Sequence, residues 1–466
     1  MLNIFFISDI KPNKYPVINA RNYKWVPIHE KLTYERLSEL WNIHRPVCIY
    51  TYGDISCNNI LSSNFQIRKR WIHLTSLDPV NIISTVSSTI LGHQYDKDYP
   101  LISVITSTYN SSHKILRPYN SLKQQTYTNW EWVVWDDSED NNVTYNNLIG
   151  FQKTDFRIRV YKSHQHSGYI GEMKRLAAGS SYGSILVEID HDDEIHPNLL
   201  QWIVDASKEY PDADFFYCDC AELNENTYES VSYGEFFGYG YSAHINEWSD
   251  RHKCYITSAH APIKNPVTVR HIIGSPNHVR AWKTSFYDKI GKHNPHLKVA
   301  DDYDLIVRSY IYGNWCHIRK CGYYQYRNAD GNFTFILNDL IQDNCAYIFN
   351  HYKHLIPNVD DPLLNDPLWK FDKNIYAKDH VDYIPDKPKR TIVLSDPTIE
   401  DIKSYIHEDK PNNNGDMIYV LGKLPDDIPD NWKKYVSWWN LSSKDKNDRI
   451  RYIKHYFHTA DEFIVN

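Results

Sequence analysis

GSILVEIDHDDEIHPN, residues 183–198, sets the apolar run Ile185, Leu186 and Val187 directly against Glu188, Asp190, Asp192, Asp193 and Glu194. A short apolar run bounded by polar residues reads as a strand buried on both faces, the usual look of a strand inside a parallel sheet. Its acidic end poses a physical question. Carboxylates gathered at one sheet edge repel one another, and holding them there costs stability unless something cationic compensates.

Working outward, LISVIT (101–106) and WEWVVWDD (130–137) have the same character, and helical stretches fall at 121–125, 171–178 and 199–206. Strand alternating with helix predicts an α/β fold, a Rossmann-like, mostly parallel sheet flanked by helices. In such sheets ligands bind beyond the carboxyl ends of the strands, and two strands here end in acids: Asp136 with Asp137, and Asp190 with Asp192 and Asp193. Asp-x-Asp offers two carboxylates on one side of an extended segment, with His191 pointing away. Mn²⁺ or Mg²⁺ can take one or two such oxygens while phosphates fill its remaining positions. The competing reading is that these aspartates cap the helix after Pro197.

Four motifs in order carry a resemblance. ISVITSTYN (102–110), SLKQQTYTNWEWVVWDDSED (121–140), IDHDDEIHPN (189–198) and VADDYDLIVR (299–308) make residues 100–327, about half of the chain, similar to the catalytic domain of family 2 glycosyltransferases. The resemblance implies a GT-A type fold and a non-processive, inverting transfer of a hexosyl or N-acetylhexosaminyl group. The donor would be a nucleotide-diphosphate sugar, UDP-linked by expectation, and the acceptor a hydroxyl of a glycan or glycoprotein. It places Thr108, Tyr109 and Asn110 beside the nucleotide base, Asp137 on the uracil or ribose, and Arg175 near the diphosphate, although Leu176 stands where the family has Asn. Asp190 would bind ribose and metal, Asp192 the metal, and Asp193 would be structural. Asp302 is the implied base, with Asp301 in place of the family's Glu, and Trp282 and His278 are implied on the acceptor side; Trp282 reads equally well as core. Asp301, Asp302 and Asp304 also suit the first turn of a helix, where acids are favoured. The Gln-x-x-Arg-Trp motif of processive synthases is interrupted here, since Gln325, Tyr326 and Arg327 are followed by Asn328.

The flanks lie outside this resemblance. Residues 1–98 suggest a small βαβ segment, 99–352 the catalytic domain, 353–390 a proline- and charge-rich linker, and 391–466 a second small α/β segment; the polar stretch 95–100 reads as a boundary. A strand pattern running to Val465 suggests a longer parent protein. The stretch 233–260, rich in Gly, Tyr and His, reads as a mobile insert governing acceptor choice.

Composition narrows the function classes. With 42% hydrophobic and 23% charged residues the chain is globular, and a net charge of -7 with no dense basic patch argues against nucleic-acid binding. The eight cysteines lack paired spacing, so reduced thiols are expected and a zinc knuckle is not. Without a signal peptide or an apolar run of about 18 residues, a cytoplasmic protein with no transmembrane segment is expected; the sequence leaves its oligomeric state open. Two other readings stay open: a sugar nucleotidyltransferase, disfavoured because TSTYNSSHK lacks glycine, and a catalytically inactive binding or scaffold protein.

Overall fold

A computed structural model of the chain describes residues 2–9, 23–53, 55–57, 60–61, 71–74, 100–155, 157–231, 244–262, 264–329, 331–357, 380–406, 415–439, 446–456 and 460–466. They form two compact units, 1–192 with 281–298, and 193–280 with 299–466. The expected boundary stretch 95–99 lies outside the described residues. The segment limits at 98/99, 352/353 and 390/391 remain a proposal about which pieces fold alone.

The first unit holds two parallel sheets. In the N-terminal one, β1 (Leu2–Ile7), β2 (Tyr23–Ile28), β3 (Pro46–Tyr52) and β4 (Trp71–Leu74) lie in the order β2-β1-β3-β4. Helix α1 (Tyr34–His44) starts at Thr33, whose side chain accepts from Arg36 N, as an N-cap should. Its Leu37 and Trp41 pack with Phe5 and Ile49.

The second sheet contains β5 (Ile102–Thr108), β6 (Trp130–Asp136), β7 (Ile158–Lys162) and β8 (Ile185–Glu188), all parallel, in the order β8-β5-β6-β7. Between them run α2 (Leu116–Lys123), α3 (Val143–Thr154) and α4 (Ile170–Gly179), with α4 over β5 and β6 and α3 beside β7. Strands β5, β6 and β8 are buried almost throughout, which is why their sequences are near-continuous apolar runs. One polar network crosses this sheet: Glu131 accepts from Ser103 Oγ at 2.5 Å, Arg159 Nη2 at 2.6 Å and Tyr182 N at 2.6 Å. At Gly183 a Cβ would stand 2.6 Å from both Leu101 O and Ser103 N, so only glycine admits this approach to β5.

The second unit is mixed. β9 (Glu194–Ile195) precedes α5 (Leu199–Glu209) and the long β10 (Phe215–Asn224), which pairs with β11 (Ser230–Val231). β12 (His244–Ser249) and β13 (Cys254–Ala259) form an antiparallel hairpin, so much of the expected mobile insert is ordered sheet; residues 232–243 lie outside the described part. α6 (Pro266–His271) opens with a capping box of Asn265 and Thr268, β14 (Arg280–Lys283) spans the unit boundary in the chain, α7 (Thr284–Lys289) belongs to the first unit, and α8 (Asp301–Tyr312) to the second. β15 (Trp315–Arg327) runs parallel to β10 and to β16 (His380–Tyr383). A strand therefore stands inside the stretch expected as linker; residues 358–379 are not described. β17 (Arg390–Ser395), β18 (Asp416–Leu421), β19 (Val436–Trp439) and β20 (Glu462–Val465) form a parallel set. All eight cysteines are free thiols, and no described helix is long and apolar enough to cross a membrane.

Glu131→Ala is expected to cost about 3–5 kcal/mol, because it strands the Arg159 guanidinium in the sheet. A urea midpoint equal to that of the parent chain would contradict this account of the network.

Candidate active site

The order β8-β5-β6-β7 makes a switch point. The chain leaves β5 for β6 and β7, then returns on β5's other side as β8, and the carboxyl ends of strands at such a reversal are where ligands of such sheets bind. Thr108, Tyr109 and Asn110 end β5, Asp136 and Asp137 end β6, and Glu188 to Asp192 end β8. Three neighbouring strands thus deliver three of the four motifs to one sheet edge.

Internal bonds fix these ends. Asp136, fully buried, accepts from Thr108 Oγ1 at 2.8 Å and Ser138 Oγ at 2.6 Å, with Lys162 Nζ at 3.7 Å. Asn110 adopts φ +49°, a left-handed conformation that Asn tolerates. Its N donates to Ser138 Oγ, and its Oδ1 accepts from Glu139 N at 3.0 Å. Tyr109 stacks on His166 with centroids 4.5 Å apart. The Asp137 carboxylate accepts from Ser167 N and Gly168 N and lies 2.8 Å from His166 Nδ1, so it is a positioned acceptor.

The acidic stretch differs from its expected form. The strand stops at Glu188, and His191 and Asp192 lie in a turn, so Asp190 and Asp192 do not share one side of an extended segment. Nor do they cap the helix that follows: α5 begins at Asn198 with no side-chain cap bond. Both side chains are half-buried. His191 Nδ1 meets Ser111 Oγ at 2.6 Å, and Arg117 Nη1 donates to Asp192 O at 2.8 Å, tying the turn to the β5 side.

Arg175 does not stand free for a diphosphate. Its Nη1 donates to the carbonyls of Gly291 at 2.8 Å and His293 at 3.1 Å. The neighbouring Lys174 is the buried cation: its Nζ lies 2.7 Å from Glu188 Oε1, while His293 Nε2 lies 3.2 Å from Oε2. Helical spacing holds the signal for this, since Met173, Lys174, Ala177 and Ala178 share the buried face of α4.

In the second unit, Asp301, Asp302 and Asp304 occupy the first turn of α8, following Ala300 at φ +61°. Asp301 is buried. Asp304 pairs with Arg308. Asp302 Oδ2 accepts from Arg280 Nη2 at 2.9 Å and Oδ1 from Tyr303 N at 2.8 Å. Arg280 is itself buried and donates to Pro276 O and Gly274 O, with His278 Nε2 3.3 Å from Nη1. His278 stacks on Tyr323. Asp193 accepts from Tyr323 OH and Tyr326 N, both at 2.8 Å, a bracing role. Trp282, in the first unit, is 0% exposed against Tyr287 and His293, so its ring has no face open to a sugar.

Residues 103–264 match the model of Glycosyl transferase family 2. About a third of the chain is thus similar to this family. The chain is 24% identical over 210 residues to the uncharacterized protein y4gI of Sinorhizobium fredii, covering 45% of this chain and 20% of that protein. It is 28% identical over 130 residues to the Escherichia coli UDP-Glc:alpha-D-GlcNAc-diphosphoundecaprenol beta-1,3-glucosyltransferase WfgD, covering 28% of this chain and 49% of that one. The S. aureus TarS 1-349 structure in complex with UDP-GlcNAc overlaps 59% of this chain and 74% of its own, with 19% identity and a TM-score of 0.40. The chain therefore spans a fifth of the first relative's length and about half of the second's.

The last residue of the matched glycosyltransferase segment, Lys264, drew no notice in the sequence. It is 0% exposed and its Nζ has no hydrogen-bond partner. Burial, with Arg280 adding repulsion, pushes its amine from 10.5 down to about 7. Between these values the unfolded chain binds the extra proton, so stability rises with pH across that window. Lys264→Met is expected to flatten this rise and to raise the melting temperature at pH 7, checked by thermal unfolding from pH 7 to 10. An unaltered slope would contradict the burial of a charged amine.

Proposed function

We propose that the chain transfers a sugar from a UDP-sugar to a hydroxyl of a glycan or glycoprotein acceptor, with inversion at the anomeric carbon. The observation that supports this most is the delivery of the Thr108–Asn110, Asp136–Asp137 and Asp190–Asp192 motifs to the carboxyl ends of three adjacent parallel strands. The similarity to WfgD, a UDP-Glc glucosyltransferase, supports a UDP-linked donor.

In this reading Thr108, Tyr109 and Asn110 flank the base, and Asp137 accepts a hydrogen bond from the uracil or ribose. Asp190 and Asp192 offer a set of carboxylate oxygens, which fits a hard cation, Mn²⁺ or Mg²⁺, better than a soft one. When bound, that cation offsets the charge of the departing diphosphate. Arg117 and Ser111 hold the turn that carries these acids. Asp302 takes the proton from the acceptor hydroxyl as it attacks. Arg280 Nη2, 2.9 Å from Asp302 Oδ2, fixes the direction of that carboxylate.

UDP release from a panel of UDP-sugars, with glycan acceptors and Mn²⁺ present, tests the proposal. Asp302→Asn is expected to bind donor as before and to lose transfer by about 10²–10⁴-fold. Transfer at the parent rate would remove Asp302 as the base. Asp192→Asn is expected to lose its response to Mn²⁺; donor hydrolysis still at the parent rate in saturating Mn²⁺ would overturn the metal assignment.

A further inference from the structure

One face of the β10-β15-β16 sheet carries a cluster that the glycosyltransferase reading does not use. β15 lies between β10 and β16, with Tyr217 opposite His317 and His317 opposite Asp382. Alternation puts Trp315, His317 and Arg319 on one face, and His380 and Asp382 meet them from β16. One ligand atom from each of His317, His380 and Asp382 lies within 4.8 Å of the other two. His317 Nδ1 stands 3.9 Å from Asp382 Oδ1, too far for a hydrogen bond.

We propose that His317, His380 and Asp382 bind a divalent transition-metal cation of the zinc class. Two imidazoles and one carboxylate are a donor set suited to Zn²⁺ or Co²⁺ more than to Mg²⁺. Bonds of about 2.0–2.2 Å require the three donors to close by on the order of 1 Å.

The surroundings orient the donors as partners of metal ligands do. His317 Nε2 lies 2.8 Å from Asp219 Oδ1, which turns Nδ1 toward Asp382. Asp219 is in turn fixed by Ala261 N at 2.8 Å. Tyr217 stacks on the His317 ring at 4.5 Å and its hydroxyl meets His380 Nε2 at 2.9 Å, so one tyrosine sets both rings. Arg319 Nη2 takes Asp382 Oδ2 at 2.5 Å, leaving Oδ1 toward His317.

Charge points the same way. Asp219 and Asp382 bring two negative charges, and Arg319 brings one positive charge, to a site where Asp219, His317 and Arg319 are at most 6% exposed. Asp382 itself is 29% exposed, so the net negative charge lies where a cation from solvent can reach and offset it. The site is also remote from the bracing of Asp193. His317 precedes Tyr323 by six residues along β15, about 20 Å of strand. The cation would thus clamp β16 to β15, in place of chemistry at the strand ends.

The test uses the full chain, stripped with chelator, dialysed against Zn²⁺ and analysed for bound metal, with Co²⁺ absorption as a second readout. The parent chain and Asp192→Asn are each expected to retain about one Zn²⁺ with a raised melting temperature, and to give a visible Co²⁺ spectrum of a site with nitrogen ligands. His380→Ala is expected to retain roughly a tenth or less and to melt in Zn²⁺ where the parent melts in chelator. Asp382→Asn, with its nearly unchanged shape, serves if the alanine variant does not fold. A parent chain that retains no Zn²⁺ and shows no Co²⁺ spectrum would overturn the proposal, leaving a proton on the imidazole cluster to balance the charge. Equal retention by the parent chain and the folded His380 or Asp382 variant would overturn it as well.

Discussion

A carboxylate taken out of water must be met by donors or by a cation, and the first unit is organised around that demand. Glu131 is met by Arg159, Ser103 and Tyr182 N in the middle of the sheet. Glu188 is met by Lys174 and His293 at the end of β8, and Asp136 by Thr108, Ser138 and Lys162 at the end of β6. Each match joins elements distant in sequence, so the bonds that offset desolvation also fix how the strand ends lie beside one another. Asp190 and Asp192 lie half-buried beyond those ends.

Much of this was legible because parallel strands buried on both faces leave a plain mark. The apolar runs of β5, β6 and β8 and the polar residues that end them fall where expected, within two residues. Helical periodicity was equally visible in α4, yet it did not by itself single out which of its cations is buried. Arg175 is the more conspicuous cation, while the buried face of the helix belongs to Lys174. The turn at 191–192 was not legible, since no local pattern distinguishes a strand that runs on from one that stops at Glu188.

The second unit was harder to read, for a different reason. Its sheet joins an antiparallel hairpin, β12 with β13, to long parallel pairs, and these pairings depend on partners far away in the chain. Burial alternates over the end of CYITSA but not along HINEWS, so the first strand of the hairpin carries no clear period-2 signal. β16 was hidden in the same way, four residues at the edge of a proline-rich stretch. Arg280 and Lys264 gained meaning only through tertiary contact: one is aimed by the carbonyls of Gly274 and Pro276, the other is deprived of any partner.

Titration calorimetry of UDP into the full chain, in Mn²⁺ and again in chelator, tests most directly whether the three strand ends form one nucleotide site. Saturable binding of UDP that weakens in chelator, and that weakens at least tenfold in Asp137→Ala, is the predicted result. Absence of heat with millimolar UDP in Mn²⁺, or binding that Asp137→Ala leaves untouched, would contradict the account.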